Sequence, residues 1–147
     1  MSRKFVCFRL GDGQYAIALK EVRRIIRHEN VLEAPAAPSF VEGVINLGGE
    51  VVPIVDLRRR FSLPPQPPSG SNRVLVVERD GRRYGLLVDS VREILELGDQ
   101  SIASEASSVF GLKAEFVAGI AKVKDNLVVL LDIFRILSAP PERSLKE

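Results

Sequence analysis

The feature that most constrains this chain is an internal repeat. Residues 40–57 read FVEGVINLGGEVVPIVDL and residues 116–133 read FVAGIAKVKDNLVVLLDI. At a constant offset and without gaps, Phe40/Phe116, Val41/Val117, Gly43/Gly119, Val52/Val128 and Asp56/Asp132 are identical, and most remaining positions pair apolar with apolar. Upstream, residues 15–26 align with 84–95, matching Tyr15/Tyr84, Val22/Val91, Arg23/Arg92 and Ile25/Ile94. Two matches in the same order at nearly the same offset mean that one structural unit is used twice.

Each unit is written in short runs of Val, Ile and Leu broken by Gly, Asp, Asn and Pro, the rhythm of many short strands. Residues 5–10, the turn Gly11-Asp12-Gly13 and residues 15–19 read as a hairpin, because glycine supplies the positive φ that tight turns require. Further hairpins are predicted at 44–47 with 51–55, 73–78 with 84–89, and 120–123 with 127–131. Residues 21–27 place Val22, Ile25 and Ile26 at i, i+3, i+4 and suggest a short helix, with a strand as the alternative. Residues 132–137 predict a closing helix ahead of Pro140-Pro141. Asp56 and Asp132, at matching places, are expected to cap the helix after each strand.

Residues 64–72, PPQPPSGSN, hold no core residue and read as an extended, exposed connector rather than a proline-rich ligand. This connector falls close to the midpoint. About five short strands per half are too few for a sandwich, so a small closed barrel per half is the economical solution. The expected layout is an all-β single domain over 1–137, with barrels at about 14–66 and 73–137. Residues 1–13 could join either barrel, and 138–147 form a short polar tail. A groove between two such barrels would be a natural docking site.

Chemistry finds little to work with. His28 is the only histidine and sits in a polar stretch, so a solvated surface role is expected. Cys7, the only cysteine, lies between Val6 and Phe8 and reads as buried packing; one thiol builds neither a disulfide nor a thiolate metal site. The glycine-rich turns match neither phosphate-binding pattern. Neither a catalytic centre nor a cofactor is expected.

Arg58-Arg59-Arg60 and Arg82-Arg83 raise a nucleic-acid binder as the alternative reading. Aromatic stacking platforms are not interleaved with them, Phe61 should pack at a helix end, and a solvated charged face is preferred. The net charge of +2 is too mild for a nucleic-acid footprint. Apolar residues at 46% and charged residues at 27% describe a globular chain. Its longest apolar run, 127–131, is far short of a membrane span of about 20 residues. With no signal-peptide core behind Met1-Ser2-Arg3-Lys4, a cytoplasmic protein without direct membrane insertion is expected.

At residues 40–47 and 51–58 the sequence resembles the CheW-like family, whose hallmark is F-V-x-G-V-I-N-L-R-G followed by V-V-P-V-V-D-L-R. The Leu10-Gly11 to Tyr15 opening, the order Val22, Ile26, Pro35, Pro38, Phe40, the run 84–91 and Phe116-Val117-Ala118-Gly119 also fit. The resemblance implies two five-stranded SH3-like barrels with short connecting helices. It further implies a stand-alone, non-enzymatic adaptor that couples a CheA-type histidine kinase to chemoreceptors in a chemotaxis-like pathway.

By the resemblance, the kinase's regulatory domain pairs barrel against barrel, and the receptor's cytoplasmic helical tip lies in a groove. Val22, Gly43, Val74, Gly85 and Ile94 would lie on or near these surfaces, the two glycines allowing close approach of a partner. Where the family has V-x-E-I, this chain has Val22-Arg23-Arg24-Ile25, and where it has N-L-R-G, this chain has Asn46-Leu47-Gly48-Gly49. The family's Glu–Arg pair is therefore replaced by Arg24 and Gly48, and Gly48-Gly49 should loosen the hairpin tip. Both positions are expected at the partner surface, and the double change marks a divergent paralogue with altered receptor contact.

Overall fold

The computed structural model of the chain describes residues 2–103 and 112–138. All four expected hairpins form: β1 (Ser2–Leu10) with β2 (Gly13–Ala18), β4 (Val41–Leu47) with β5 (Glu50–Asp56), β6 (Arg73–Arg79) with β7 (Arg82–Val88), and β10 (Val117–Val123) with β11 (Asn126–Leu131). The remaining strands are β3 (Val22–Arg27), β8 (Ser90–Gly98) and the two-residue β9 (Ile102–Ala103). Two short helices, α1 (Leu57–Arg60) and α2 (Ile133–Leu137), follow β5 and β11. Asp56 caps α1 by accepting from the Arg58 and Arg59 backbone N–H groups, and Asp132 caps α2 by accepting from that of Arg135.

The segment 22–27 is a strand, so the helical expectation fails and its alternative holds. A bulge at Arg23 is the reason: Val22 lies opposite Val77, while the next paired residue, Arg24, lies opposite Val76. One extra residue breaks the period of two and leaves a spacing that mimics a helix.

Strands form one five-stranded sheet, in the order β3-β6-β7-β5-β4, and one six-stranded sheet, β8-β1-β2-β11-β10-β9. The all-β architecture with two sheet-built subdomains is as expected. Its division along the chain is not. The expected barrels at 14–66 and 73–137 cut across both sheets, because β2 lies parallel to β11 and β7 lies parallel to β5. Residues 22–88 supply the whole five-stranded sheet, while 2–18 and 90–131 supply the other. The first hairpin of each repeat has crossed into the other unit's sheet. The proline-rich segment 64–72 thus joins α1 to β6 within one subdomain and does not connect the two. The chain passes between sheets at the helical turn Leu19–Glu21 and at the single residue Asp89.

Burial explains why the two sheets hold together. Central strands are apolar on both faces, with period-two alternation sending successive side chains to different cores. On β1, Phe5 and Cys7 enter a core within the six-stranded subdomain, and Val6, Phe8 and Leu10 enter a larger shared core. On β6, Val74 and Val76 enter the five-stranded subdomain's own core, and Leu75 and Val77 enter the shared one. The junction that sequence reasoning treats as a groove is therefore filled by packed side chains. Cys7 is buried, as expected, and burial pushes its thiol up to about 11. No described helix is long and apolar enough to cross a membrane.

Candidate docking surfaces

Six of the seven expected partner-surface residues belong to the five-stranded subdomain: Val22 and Arg24 on β3, Gly43 on β4, Gly48 in the β4–β5 turn, Val74 on β6 and Gly85 on β7. Ile94 lies apart, on β8. Only Arg24, Gly48 and Ile94 are exposed; Val22 is half-buried against the shared core.

Val74, Gly43 and Gly85 are buried and serve the fold. A Cβ at Gly85 would lie 2.6 Å from both Ile54 Cδ1 and Val74 Cγ1. At Gly43 a Cβ would collide with the Leu32 carbonyl oxygen, because Leu32 is bridged to Val44 by two backbone hydrogen bonds of 2.8 and 2.7 Å. Both glycines do permit a close approach, but the approaching group is the chain's own. The hairpin tip between β4 and β5 is a glycine turn. Gly48 and Gly49 take φ of +62° and +93°, and Asn46 Oδ1 accepts the Gly49 N–H at 2.8 Å.

Within the Arg run only Arg59 is exposed; Arg58 and Arg60 are turned into the protein. Arg58 is 9% exposed and donates Nε to Asp89 Oδ1 at 2.9 Å, Nη2 to Asp89 Oδ2 at 2.5 Å and Nη1 to the Pro64 carbonyl at 2.6 Å. The Gly11 backbone N–H donates to the same carboxylate at 2.7 Å. Burial pushes the Asp89 carboxyl up, but the bonds from Arg58 and Gly11 outweigh it and hold it below the usual carboxylate range. Arg60 sits over both Phe40 and Phe116, at 4.4 and 4.7 Å from the ring centroids, and donates to the carbonyls of Arg135, Ile136 and Ser138. With Arg58 and Arg60 engaged inside the protein, the phosphate-binding reading of this run loses its basis.

His28 departs from expectation as well: it is half-buried, with Nε2 at 2.8 and 2.9 Å from the two Glu42 carboxylate oxygens. It lines a cleft of about 460 Å³ with Arg58, Asp89, Pro65, Pro67 and Pro68. Among the described residues no cluster of His, Cys, Asp or Glu could hold a metal ion.

Of six exposed large apolar side chains among the described residues, four fall in repeat-related pairs. Ile25 and Ile94 are 45% and 57% exposed at equivalent places on β3 and β8. Val51 and Leu127 are 64% and 47% exposed at equivalent places on β5 and β11. Sequence reasoning singled out Ile94 but missed its counterpart Ile25, although the repeat alignment already pairs them.

Against known proteins, the CheW-like domain profile matches residues 4–140. The chain belongs to the CheW-like family. Relatives include the chemotaxis protein CheW of Klebsiella aerogenes, 30% identical over 95% of this chain and 84% of its own. Another is that of Treponema pallidum, 26% identical over 92% and 82%. The crystal structure of the scaffolding protein TtCheW from Thermoanaerobacter tengcongensis matches with a TM-score of 0.87 at 30% identity, covering 95% of this chain and 90% of that one. CheW-like proteins are scaffolds rather than enzymes, and this chain's polar clusters are accordingly structural ties.

Proposed function

We propose that this CheW-like chain is a cytoplasmic, non-enzymatic adaptor that couples a CheA-type histidine kinase to chemoreceptors in a chemotaxis-like pathway. The observation that carries the reading is the match of nearly the whole chain to the family, at a TM-score of 0.87 to a scaffolding protein. Paired exposed apolar residues, Ile25 with Ile94 and Val51 with Leu127, supply two related surfaces of the kind a double-barrel partner would meet. Exposed Arg24 and the Gly48 turn are the positions at which receptor contact differs from the usual family pattern, which makes the chain a divergent paralogue. Of the seven residues first considered, Arg24, Gly48, Ile94 and half-buried Val22 retain a direct role in docking. Gly43, Val74 and Gly85 support those surfaces from beneath.

The test is titration of the full chain with the regulatory domain of the CheA-type kinase from the same genome. Saturable binding that Ile94→Arg or Leu127→Arg weakens about tenfold, a change of about 1.4 kcal/mol, supports the adaptor. Absence of binding to that domain overturns it.

A further inference from the structure

The proline-rich segment 64–72 does not join the two subdomains, so its length needs another reason. Both of its ends are held at one residue. At the entry, Arg58 donates to the Pro64 carbonyl at 2.6 Å and also binds the Asp89 carboxylate. At the exit, Asn72 Nδ2 donates to the Asp89 carbonyl at 3.1 Å, and Asn72 Oδ1 accepts the Ser69 N–H at 2.9 Å. Half-buried Leu63 packs against the shared core just before the first proline. Ends that meet at Asp89 need no excursion of this length to be linked. Residues 64–71 between them are nevertheless all exposed.

Covalent geometry dictates the shape of that excursion. Pro64, Pro65, Pro67 and Pro68 each fix their own φ near −65°, and each pushes the residue before it out of the helical region. The segment is thereby driven to polyproline II, with three residues per turn and a solvated backbone. Pro64 and Pro67 then share one face, Pro65 and Pro68 the next, and Gln66 stands alone on the third. Among the described residues, neither the Gln66 N–H nor the carbonyls of Pro65, Pro67 and Pro68 have a hydrogen-bond partner. Those last three prolines border the cleft that holds His28, so the arm stands off the body.

We propose that this arm is a docking ligand for a small domain whose aromatic-lined groove reads polyproline II. The P-x-x-P spacing occurs twice, as Pro64/Pro67 and Pro65/Pro68, so two adjacent faces fit the slots between aromatic rings. The free carbonyls accept from tryptophan or tyrosine donors in the groove. Fixing both ends of the arm at Asp89 lowers the ordering cost of binding. This chain has no tryptophan, and its two tyrosines, Tyr15 and Tyr84, are buried and half-buried. The groove therefore belongs to a different protein.

NMR titration of the labelled full chain with purified SH3 and WW domains tests this. The readout is the Gln66, Ser69 and Gly70 amides, because proline has none. At least one of the two domain classes should shift these amides saturably. Pro65→Ala with Pro68→Ala should weaken that binding at least about tenfold. Both prolines are exposed, so a melt followed by circular dichroism should match wild type. Neither substitution touches a residue assigned to kinase or receptor contact, so the result is independent of the kinase titration. No shift at these amides with either class up to about 1 mM overturns the proposal. So does binding that the double variant retains in full.

Discussion

The two helical turns that close the repeats start alike and end differently. Each opens on a capping aspartate, Asp56 or Asp132, followed by a buried aliphatic residue, Leu57 or Ile133. The next position is Arg58 in one and Phe134 in the other. Arg58 is buried and fixed to Asp89, while Phe134 is 50% exposed with Arg79 stacked on its ring. Two positions further on, Arg60 bridges to α2, while its counterpart Ile136 is buried in the shared core. The repeat preserves residues that set backbone geometry and varies the charges that tie one half to the other. Equivalent positions therefore share shape without sharing energetic weight.

Substituting equivalent positions should expose that inequality. The largest difference is expected between Gly43→Ala and Gly119→Ala. At Gly43 the new methyl meets a hydrogen-bonded backbone carbonyl and should cost about 3 kcal/mol or more. At Gly119 its nearest neighbours are Ile102 Cγ2 at 3.0 Å and the Ala103 carbonyl at 3.1 Å, a cost of about 1 kcal/mol in chemical denaturation. Equal losses would show that β9 is as rigid as the Leu32–Val44 bridge.

Next come the reciprocal swaps. Arg58→Phe leaves Asp89 without its main partner and should cost about 2–3 kcal/mol, whereas Phe134→Arg on the surface should stay within about 0.5 kcal/mol. The same node sets an acid response. Asp89 is held below its ordinary value in the folded chain, so its contribution is fully present above about pH 4 and is lost as pH falls through the folded value. Thermal melts from pH 5 to pH 2 should show a steeper loss for wild type than for Asp89→Asn. Parallel curves would assign the acid response to other carboxylates.

The smallest contrast is between the caps. Asp56→Ala removes two N–H acceptor contacts and an ion pair with Arg59 at 3.4 Å, while Asp132→Ala removes one N–H contact. Both should cost about 1 kcal/mol in urea titrations, with Asp56 the larger.

Much of this was legible in the sequence because it is locally encoded. Glycine turns, alternating strands and an aspartate ahead of each helix act over a few residues, so hairpins, caps and the repeat could be read directly. Family resemblance supplied the two-subdomain plan but not its division along the chain. Which sheet a hairpin joins is decided by long-range pairing: nothing in residues 13–18 records that β2 will lie beside β11. The polar ties were hidden for a related reason. A run of three arginines looks solvated until Asp89, Phe40 and Phe116 arrive from distant segments. Gly43 and Gly85 were identified as sites of close approach, but sequence could not say that the visitor was the chain itself.

The paired crossings between the sheets carry a mechanical consequence. A single tether would let two bodies swivel, whereas this chain crosses twice, once at residues 19–21 and once at Asp89, and Asp89 is clamped from both sides by Arg58 and Gly11. Torque applied to one sheet is resisted by both covalent passages and by the core between them, and the proline-rich loop is tied to the second passage, with Asn72 donating to the Asp89 carbonyl at 3.1 Å. Such an adaptor would hand a displacement onward as a stiff block, leaving any change of angle to the joints it makes with its neighbours.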